Sequence, residues 1–191
     1  MYDVAIVGAG PAGASAALFT AKAGKNTIVF DHDKGLTKRA WIENHYGFTG
    51  LTGPELIATG IKQAEKFGAK IVGDQVNNIV KKDDGFVVQT EQNGEIAARH
   101  VILATGASVE LAEKIGVETT EGKEPRIKTV LKTAADGKTN IAGIWAAGTC
   151  AGVSVHTIIT AGDGAKVAIN LLSEMNGQRY VDHDVLQTKA Q

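Results

Sequence analysis

The sequence contains one cysteine, Cys150, among its 191 residues. A single cysteine excludes an internal disulfide, a Cys-x-x-Cys redox pair and any metal or iron–sulfur site built from several cysteines, and we expect no metal site. An excess of charge is also missing, because 20 Lys and Arg residues are balanced by 21 Asp and Glu residues. Proteins that bind nucleic acids carry a basic excess, so we expect no nucleic-acid partner.

Long hydrophobic runs are missing as well. No apolar stretch of the sequence reaches the roughly 18 residues that a transmembrane helix needs. The N-terminus has neither the basic n-region nor the cleavage-site pattern of a signal peptide. With so little cysteine, these absences favour a cytoplasmic protein that does not contact membranes. The length favours a single domain, which we expect to cover residues 1–191.

Glycine, in contrast, is plentiful, with 23 residues. Its first cluster lies between an apolar run at 2–7 and a small-residue helix predicted at 11–23, and a second apolar run follows at 26–30. Short runs rich in Val and Ile are typical of buried strands. A strand, a glycine turn, a helix and a second strand form one βαβ unit, in which the two strands are parallel.

The remainder of the chain contains both helical and strand patterns. Apolar residues at intervals of three and four predict a helix over 52–67, and the same period predicts a helix over 154–173, with Ser154 as its N-cap. The turn signals Asp84-Gly85 and Asn93-Gly94 separate strands with antiparallel character. These strands are predicted at 69–80, 85–92 and 95–105, and another at 141–147. The polar tail from about 177 is expected to be loosely held.

The motif GAGPAG at 8–13 is a G-x-G-x-x-G fingerprint that follows a strand and opens a helix. Gly8 allows a tight turn, Gly10 allows the backbone to approach a pyrophosphate, and Gly13 allows the helix to pack closely on the strand. Asp31 follows 18 residues after Gly13, where an acid binds the ribose. The motif predicts a dinucleotide site but does not distinguish NAD from FAD. Its candidate binding residues are Gly8, Gly10, Pro11, Ala12 and Gly13.

Four blocks of the sequence resemble the low-molecular-weight thioredoxin reductase family and, more broadly, the pyridine-nucleotide–disulfide flavoproteins. They are GAGPAG at 8–13, the stretch at 43–71, ATGA at 104–107 and the stretch at 143–172. The resemblance covers roughly 1–108 and 125–175. It implies FAD as the cofactor and a Rossmann-like three-layer α/β domain with a parallel sheet and a small antiparallel β-meander at about 74–98.

The chain also departs from this family. Only residues 108–124 stand where the family inserts its NADPH domain, and a βαβ unit needs about 30 residues. No second glycine fingerprint is present, and Cys150 has no partner for a dithiol. The resemblance therefore implies an FAD domain that lacks both the nicotinamide domain and the dithiol.

The resemblance also implies further cofactor-binding residues. Thr149 stands where the family has an acid, either altering the flavin environment or acting as a neutral replacement. His156 replaces an arginine and is either a titratable group near the flavin or a hydrogen-bonded residue at the helix start. Asn44 matches an asparagine beside the flavin, or forms an Asx-type turn before Gly47. The positions implied are Asn44, Val76, Thr105, Gly106, Gly148, Thr149, His156, Thr157 and Ile158.

The function that these observations imply is an FAD-dependent oxidoreductase without a dithiol of its own. Its electron donor is either diffusible NAD(P)H or another protein. Two alternatives stay open: an electron-carrying subunit of a larger system and a non-catalytic FAD-binding redox sensor. The resemblance implies a homodimer. Cys150 is expected to be an inert core residue, because nothing near it in sequence lowers the pKa of a thiol.

Overall fold

The computed structural model describes residues 1–186, which form four α-helices and eleven strands. The helices are α1 (Pro11–Lys22), α2 (Gly53–Lys66), α3 (Glu110–Lys114) and α4 (Thr157–Asn176). The strands are β1 (Tyr2–Val7), β2 (Thr27–Asp31), β3 (Trp41–Ile42), β4 (Leu51–Thr52), β5 (Lys70–Gly73), β6 (Val76–Lys82), β7 (Gly85–Thr90), β8 (Glu95–Leu103), β9 (Thr119–Glu121), β10 (Thr129–Leu131) and β11 (Ile144–Ala146).

The main sheet has the strand order β5-β2-β1-β8-β7-β6, with β11 also paired to β8. Strands β5, β2, β1, β8 and β11 are parallel, whereas β6, β7 and the first half of β8 pair in antiparallel fashion. Strand β8 belongs to both parts, because its residues 95–98 pair with β7 and residues 101–103 pair with β11. This arrangement is the expected parallel sheet with an antiparallel meander.

Two hydrophobic clusters cover the two faces of the parallel strands. One face packs against α1, α2 and α4 through small and branched residues, among them Ala17, Ala64 and Val167. The other face packs against the meander, where Phe86 and Val88 lie beside the buried side chains of β1 and β2. Helices, parallel sheet and meander form three layers. Within residues 1–186, no helix combines the length and hydropathy needed to cross a membrane.

Helix α2 follows the predicted boundaries, and local chemistry explains its start. Thr52 is the N-cap, and its side chain accepts a hydrogen bond from the Glu55 backbone N–H while the Glu55 carboxylate accepts one from the Thr52 N–H. This reciprocal capping box satisfies two backbone donors that the first turn of a helix leaves without partners.

Helix α4 differs from its predicted start. The prediction of Ser154 as N-cap is wrong, because the helix begins at Thr157 and His156 is the N-cap. The Ser154 hydroxyl is hydrogen-bonded at 2.8 Å to Nδ1 of the His156 ring instead of to the helix backbone. The start of α4 therefore carries no side-chain cap.

The predicted strand at 69–80 is two strands in the structure. Strand β5 ends at Gly73 and is parallel to β2, whereas β6 begins at Val76 and is antiparallel to β7. Asp74 and Gln75 form the break between them. Gly73 and Asp74 are residue types that are rare in strands, so the sequence carried a local signal for a break but none for the change of direction.

The C-terminal tail is held more firmly than expected as far as Asp184. The Lys22 ammonium lies 2.8 Å from the Asp182 carboxylate and 2.6 Å from that of Asp184. The Tyr180 backbone N–H donates to the Ser173 hydroxyl at 3.0 Å. The rest of the predicted tail, residues 187–191, lies outside the described residues.

Candidate functional site

A cavity of about 710 Å³ opens at the carboxyl ends of the parallel strands. Its wall includes the residues that end β1 and β2 and those that follow β8 and β11. This edge of an open parallel sheet is where α/β proteins bind nucleotides. The predicted site residues that line the cavity are Gly8, Gly10, Pro11, Ala12, Asp31, Val76, Thr105, Gly106, Thr149 and Thr157.

The start of α1 forms the middle of the cavity wall. Gly10 is the N-cap of the helix, Pro11 is its first residue, and no side chain caps the first turn. The free N–H groups and the positive end of the helix dipole favour an anion at this position. This is the arrangement expected for a bound pyrophosphate.

Gly10 and Gly13 have different surroundings. A Cβ atom built on Gly10 meets no atom within 4 Å, although Gly10 lines the cavity. A Cβ atom on Gly13 would overlap the carbonyl oxygen of Gly8, and Gly13 does not line the cavity. Gly10 therefore leaves space for a ligand, whereas Gly13 allows α1 to approach the turn after β1.

Helix α4 also packs very closely on the fingerprint. A Cβ atom on Gly164 would overlap the carbonyl oxygen of Ala12. The Asp163 side chain, which is 8% exposed, accepts a hydrogen bond at 2.8 Å from the Gly148 N–H and pairs at 2.6 Å with Lys166. Asp163 thus joins α4 to the turn after β11. Sequence reasoning missed Asp163, because its partner Gly148 lies 15 residues earlier in the chain.

One end of the cavity is rich in charged groups. Asp31 is half-buried at the end of β2, and His32 and Lys34 follow it along the cavity wall. The opposite wall of this end consists of Val76 and its neighbours together with α3, where the Lys114 ammonium donates to the Asn77 carbonyl at 2.9 Å. Sequence reasoning missed α3, which was read only as part of a connection. The further residues at this end are Asp74, Gln75, Glu110 and Leu111.

The other end of the cavity is uncharged and rich in hydroxyl groups. Thr149, Thr157 and Thr160 line it together with Val155 at the start of α4. Nδ1 of His45 lies 3.0 Å from Oγ1 of Thr157. Burial lowers the pKa of His45, which favours the neutral ring.

Five predicted residues do not form part of the cavity wall. Gly13 packs against the Gly8 carbonyl, and Gly148 packs against Ala12, since a Cβ atom on Gly148 would lie 2.7 Å from the Ala12 Cβ atom. Asn44 and His156 are exposed, and Ile158 is 37% exposed on the first turn of α4. His156 is turned toward Ser154, which explains its place outside the wall.

Cys150 is fully buried beneath the cavity floor. Its Sγ atom lies 3.4 Å from the carbonyl oxygens of both Leu103 and Ala147. Burial raises the pKa of the Cys150 thiol, which disfavours the reactive thiolate. These surroundings agree with the expected inert core residue. Within residues 1–186, no cluster of three His, Cys, Asp or Glu side chains is arranged to hold a metal ion.

The sequence profile of the family described as pyridine nucleotide-disulphide oxidoreductase matches residues 2–127 and 41–165. These two overlapping matches together cover most of the chain. The chain belongs to this family.

Curated relatives of this family member include two bacterial thioredoxin reductases. The enzyme of Bacillus subtilis (strain 168) is 35% identical over 120 residues, which are 61% of this chain and 37% of the relative. That of Aquifex aeolicus (strain VF5) is 40% identical over 113 residues, 56% of this chain and 34% of the relative. The matches thus span little more than a third of these relatives, and the predicted resemblance to thioredoxin reductases is confirmed.

Solved structures confirm the predicted fold class. The atypical thioredoxin reductase TRi from Desulfovibrio vulgaris Hildenborough has a TM-score of 0.76 at 24% identity, and the alignment covers 93% of this chain and 99% of that chain. The oxidoreductase from Agrobacterium tumefaciens has a TM-score of 0.79 at 16% identity, covering 93% and 99%. At these identities the comparison establishes the fold of this family member.

Proposed function

We propose that the chain is an FAD-dependent oxidoreductase that passes electrons from an external donor to an external acceptor without a dithiol of its own. The observation that carries this proposal is the open space at Gly10. It lies at the uncapped start of α1, between a charged cavity end with Asp31 and a hydroxyl-rich end with Thr157. A dinucleotide needs such an anion site between two differently shaped halves.

Different residues of the cavity bind the three parts of the proposed cofactor. The first turn of α1 binds the pyrophosphate, and Asp31 accepts hydrogen bonds from the ribose hydroxyls. The segment around Val76 meets the adenine, while Thr105, Gly106, Thr149 and Thr157 surround the flavin half, with Asn44, His156 and Ile158 at its rim. When bound, FAD supplies an isoalloxazine ring that accepts and releases hydride or single electrons. The positive end of the α4 dipole favours negative charge on the flavin half.

We propose that residues 1–191 form a single FAD-binding domain, in which 108–124 is a short connection. In the structure that stretch contains α3 and β9, which are too short for a second nucleotide-binding unit. The buried Cys150 supports the absence of a dithiol step, because thiol–disulfide exchange needs an accessible thiolate and a second thiol.

Cofactor binding and an anaerobic titration test this function. The purified protein is expected to bind FAD non-covalently and to release it intact on denaturation. Titration with NADPH and with NADH, followed by loss of the oxidised flavin absorbance, then tests for a nicotinamide donor. Bleaching at stoichiometric nucleotide supports an enzyme reduced by diffusible NAD(P)H. If neither nucleotide reduces the flavin but dithionite does, the result favours a protein donor or the sensor alternative. A protein that fails to bind added FAD would contradict the proposal.

We also propose that the chain forms a homodimer. Two apolar side chains in the first turn of α4 are exposed and lie outside the cavity wall: Ile158 by 37% and Ile159 by 45%. Contiguous exposed apolar groups of this kind are typical of association surfaces. Light scattering at micromolar concentration is expected to give twice the mass of one chain, and Ile159→Asp is expected to shift it toward the single-chain mass. A single-chain mass for the unmodified protein contradicts this proposal.

A further inference from the structure

Asp74 is a buried carboxylate at the break between β5 and β6. It is 3% exposed, and within residues 1–186 it forms no ion pair. An isolated buried charge is unfavourable unless hydrogen bonds compensate for the lost hydration. The hydrogen-bond partners of the Asp74 carboxylate therefore indicate its structural role.

The carboxylate of Asp74 accepts hydrogen bonds mainly from the turn between β7 and β8. Its Oδ2 atom accepts from the Asn93 backbone N–H at 3.0 Å and from the Asn93 side-chain amide at 2.6 Å. Its Oδ1 atom accepts from the backbone N–H of Gln92 at 3.2 Å and from that of Gln75 at 2.8 Å. Charge-assisted bonds of this type are stronger than bonds between neutral groups.

The backbone around Asp74 connects the same region to the proposed ribose acid. The Asp74 N–H donates to the Asp31 carbonyl at 3.1 Å, and the Glu91 N–H donates to the Gln75 carbonyl at 2.9 Å. Three segments thus meet at Asp74: the end of β2, the start of β6 and the turn at 91–93. Two of them supply the wall of the charged cavity end, through Asp31 and through residues 75–77.

We propose that Asp74 is a positioning residue for the adenosine half of the cofactor. It fixes residues 75–77 at their distance from Asp31 by anchoring the break between β5 and β6 to the remote turn at 91–93. This inference rests on the proposed function, since it assigns the charged end of the cavity to adenosine. Adenosine diphosphate is the matching probe because it contains that half and the pyrophosphate without the flavin.

Calorimetric titration of the cofactor-free protein with ADP and with FAD tests this role. Asp74→Asn keeps the shape but turns an amide NH₂ toward N–H donors, so ADP affinity is expected to fall roughly 10-fold or more. Asp136→Asn is the matched control. Asp136 also accepts a backbone N–H at a turn, from Lys138 at 3.1 Å, but it lies outside the cavity wall. Its ADP affinity is expected to equal that of the unmodified protein.

A second variant keeps the test decisive if Asp74→Asn fails to fold. Asn93 is exposed and does not line the cavity, so Asn93→Ala removes the side-chain amide bond to Asp74 and keeps the backbone bond, without disturbing the core. It is expected to weaken ADP binding roughly threefold, the effect of one ordinary hydrogen bond. The two substitutions are expected to be non-additive when combined, because they interrupt the same interaction. If Asp74 only supported folding, the substitutions would lower the melting temperature but would not change ADP affinity in this non-additive way.

The outcomes separate the two proposals. If the unmodified protein binds neither FAD nor ADP, the proposed function fails and this inference fails with it. If the unmodified protein binds both, and folded Asp74→Asn and Asn93→Ala bind ADP with unchanged affinity, only the positioning role of Asp74 is overturned.

Discussion

His45 and Thr157 form a hydrogen bond of 3.0 Å between Nδ1 and Oγ1, although 112 residues separate them in the sequence. His45 belongs to the exposed loop between β3 and β4, and its ring meets that of Phe48 edge-to-face with centroids 5.4 Å apart. Thr157 is the first residue of α4 and lines the hydroxyl-rich cavity end. This contact therefore fastens the loop to the flavin half of the proposed site.

The first prediction concerns this contact. His45→Ala is expected to weaken FAD binding about 3- to 10-fold, the effect of losing one hydrogen bond, because the loop is no longer held against α4. ADP affinity is expected to stay unchanged, since Thr157, the partner of His45, belongs to the proposed flavin half, which ADP lacks. Calorimetry with both ligands measures the difference, and His183→Ala, at an exposed position in the tail, is the control. An equal loss of affinity for ADP and FAD would contradict this assignment.

The second prediction separates Gly10 of the fingerprint from Gly164 of α4, which packs against it. Gly10 is an N-cap, and Asp is favoured at N-caps, so Gly10→Asp is expected to leave the free energy of unfolding equal or slightly higher. The same carboxylate enters the space of the pyrophosphate and is expected to abolish FAD binding. Gly164→Ala is expected instead to lower the free energy of unfolding by about 1–3 kcal/mol, because its Cβ overlaps the Ala12 carbonyl oxygen.

Urea denaturation of the cofactor-free variants, together with FAD titration, checks both expectations. Gly10→Asp that binds FAD as tightly as the unmodified protein would show that the pyrophosphate lies elsewhere. Gly164→Ala that is fully stable would show that α1 and α4 can separate at no cost.

The third prediction concerns Cys150. The buried thiol is expected to resist alkylation in the native protein and to react after unfolding, because burial raises its pKa and closes access. With NADPH and a thioredoxin, turnover is expected to stay below roughly 1 s⁻¹, the low end of ordinary enzymes. A coupled assay with a chromogenic disulfide measures this rate for the unmodified protein and for Cys150→Ala. Faster turnover that disappears in Cys150→Ala would establish a thiol mechanism.

The fourth prediction is a pH dependence of stability. Although burial alone would raise the pKa of Asp74, hydrogen bonds from Asn93 and Gln92 lower it from 3.8 to about 2. A carboxyl whose pKa is lowered by folding stabilises the folded state above its unfolded pKa. This stabilisation is expected to be complete above pH 3.8 and to be lost as the pH falls toward about 2.

Denaturation of the unmodified protein and of Asp74→Asn across this range isolates the contribution of Asp74 from those of other carboxylates. The difference in unfolding free energy between the two proteins is expected to shrink as the solution becomes more acidic. A difference that stays constant between pH 3.8 and 2 would contradict the assigned titration.

Local sequence was sufficient for the first βαβ unit and for α2. The turn at Gly8, the Pro11 start of α1 and the Thr52–Glu55 capping box depend on residues that are neighbours in the chain. The period of the apolar residues then determines which side of each element is buried. For the same reason the fingerprint and Asp31 predicted the middle and one end of the cavity.

Tertiary structure decided the features that join remote segments. The break at Asp74 depends on N–H groups of residues 92 and 93, and the placement of Gly148 depends on Asp163. Lys114 is held in the cavity wall by its hydrogen bond to the carbonyl of Asn77, which lies 37 residues away in the sequence. A pattern of apolar and polar residues records how each element is buried, but it does not record which distant donor a buried carboxylate or carbonyl will meet. Those partners are chosen only when the three layers pack together, because a buried polar group must find its hydrogen bonds within the folded chain.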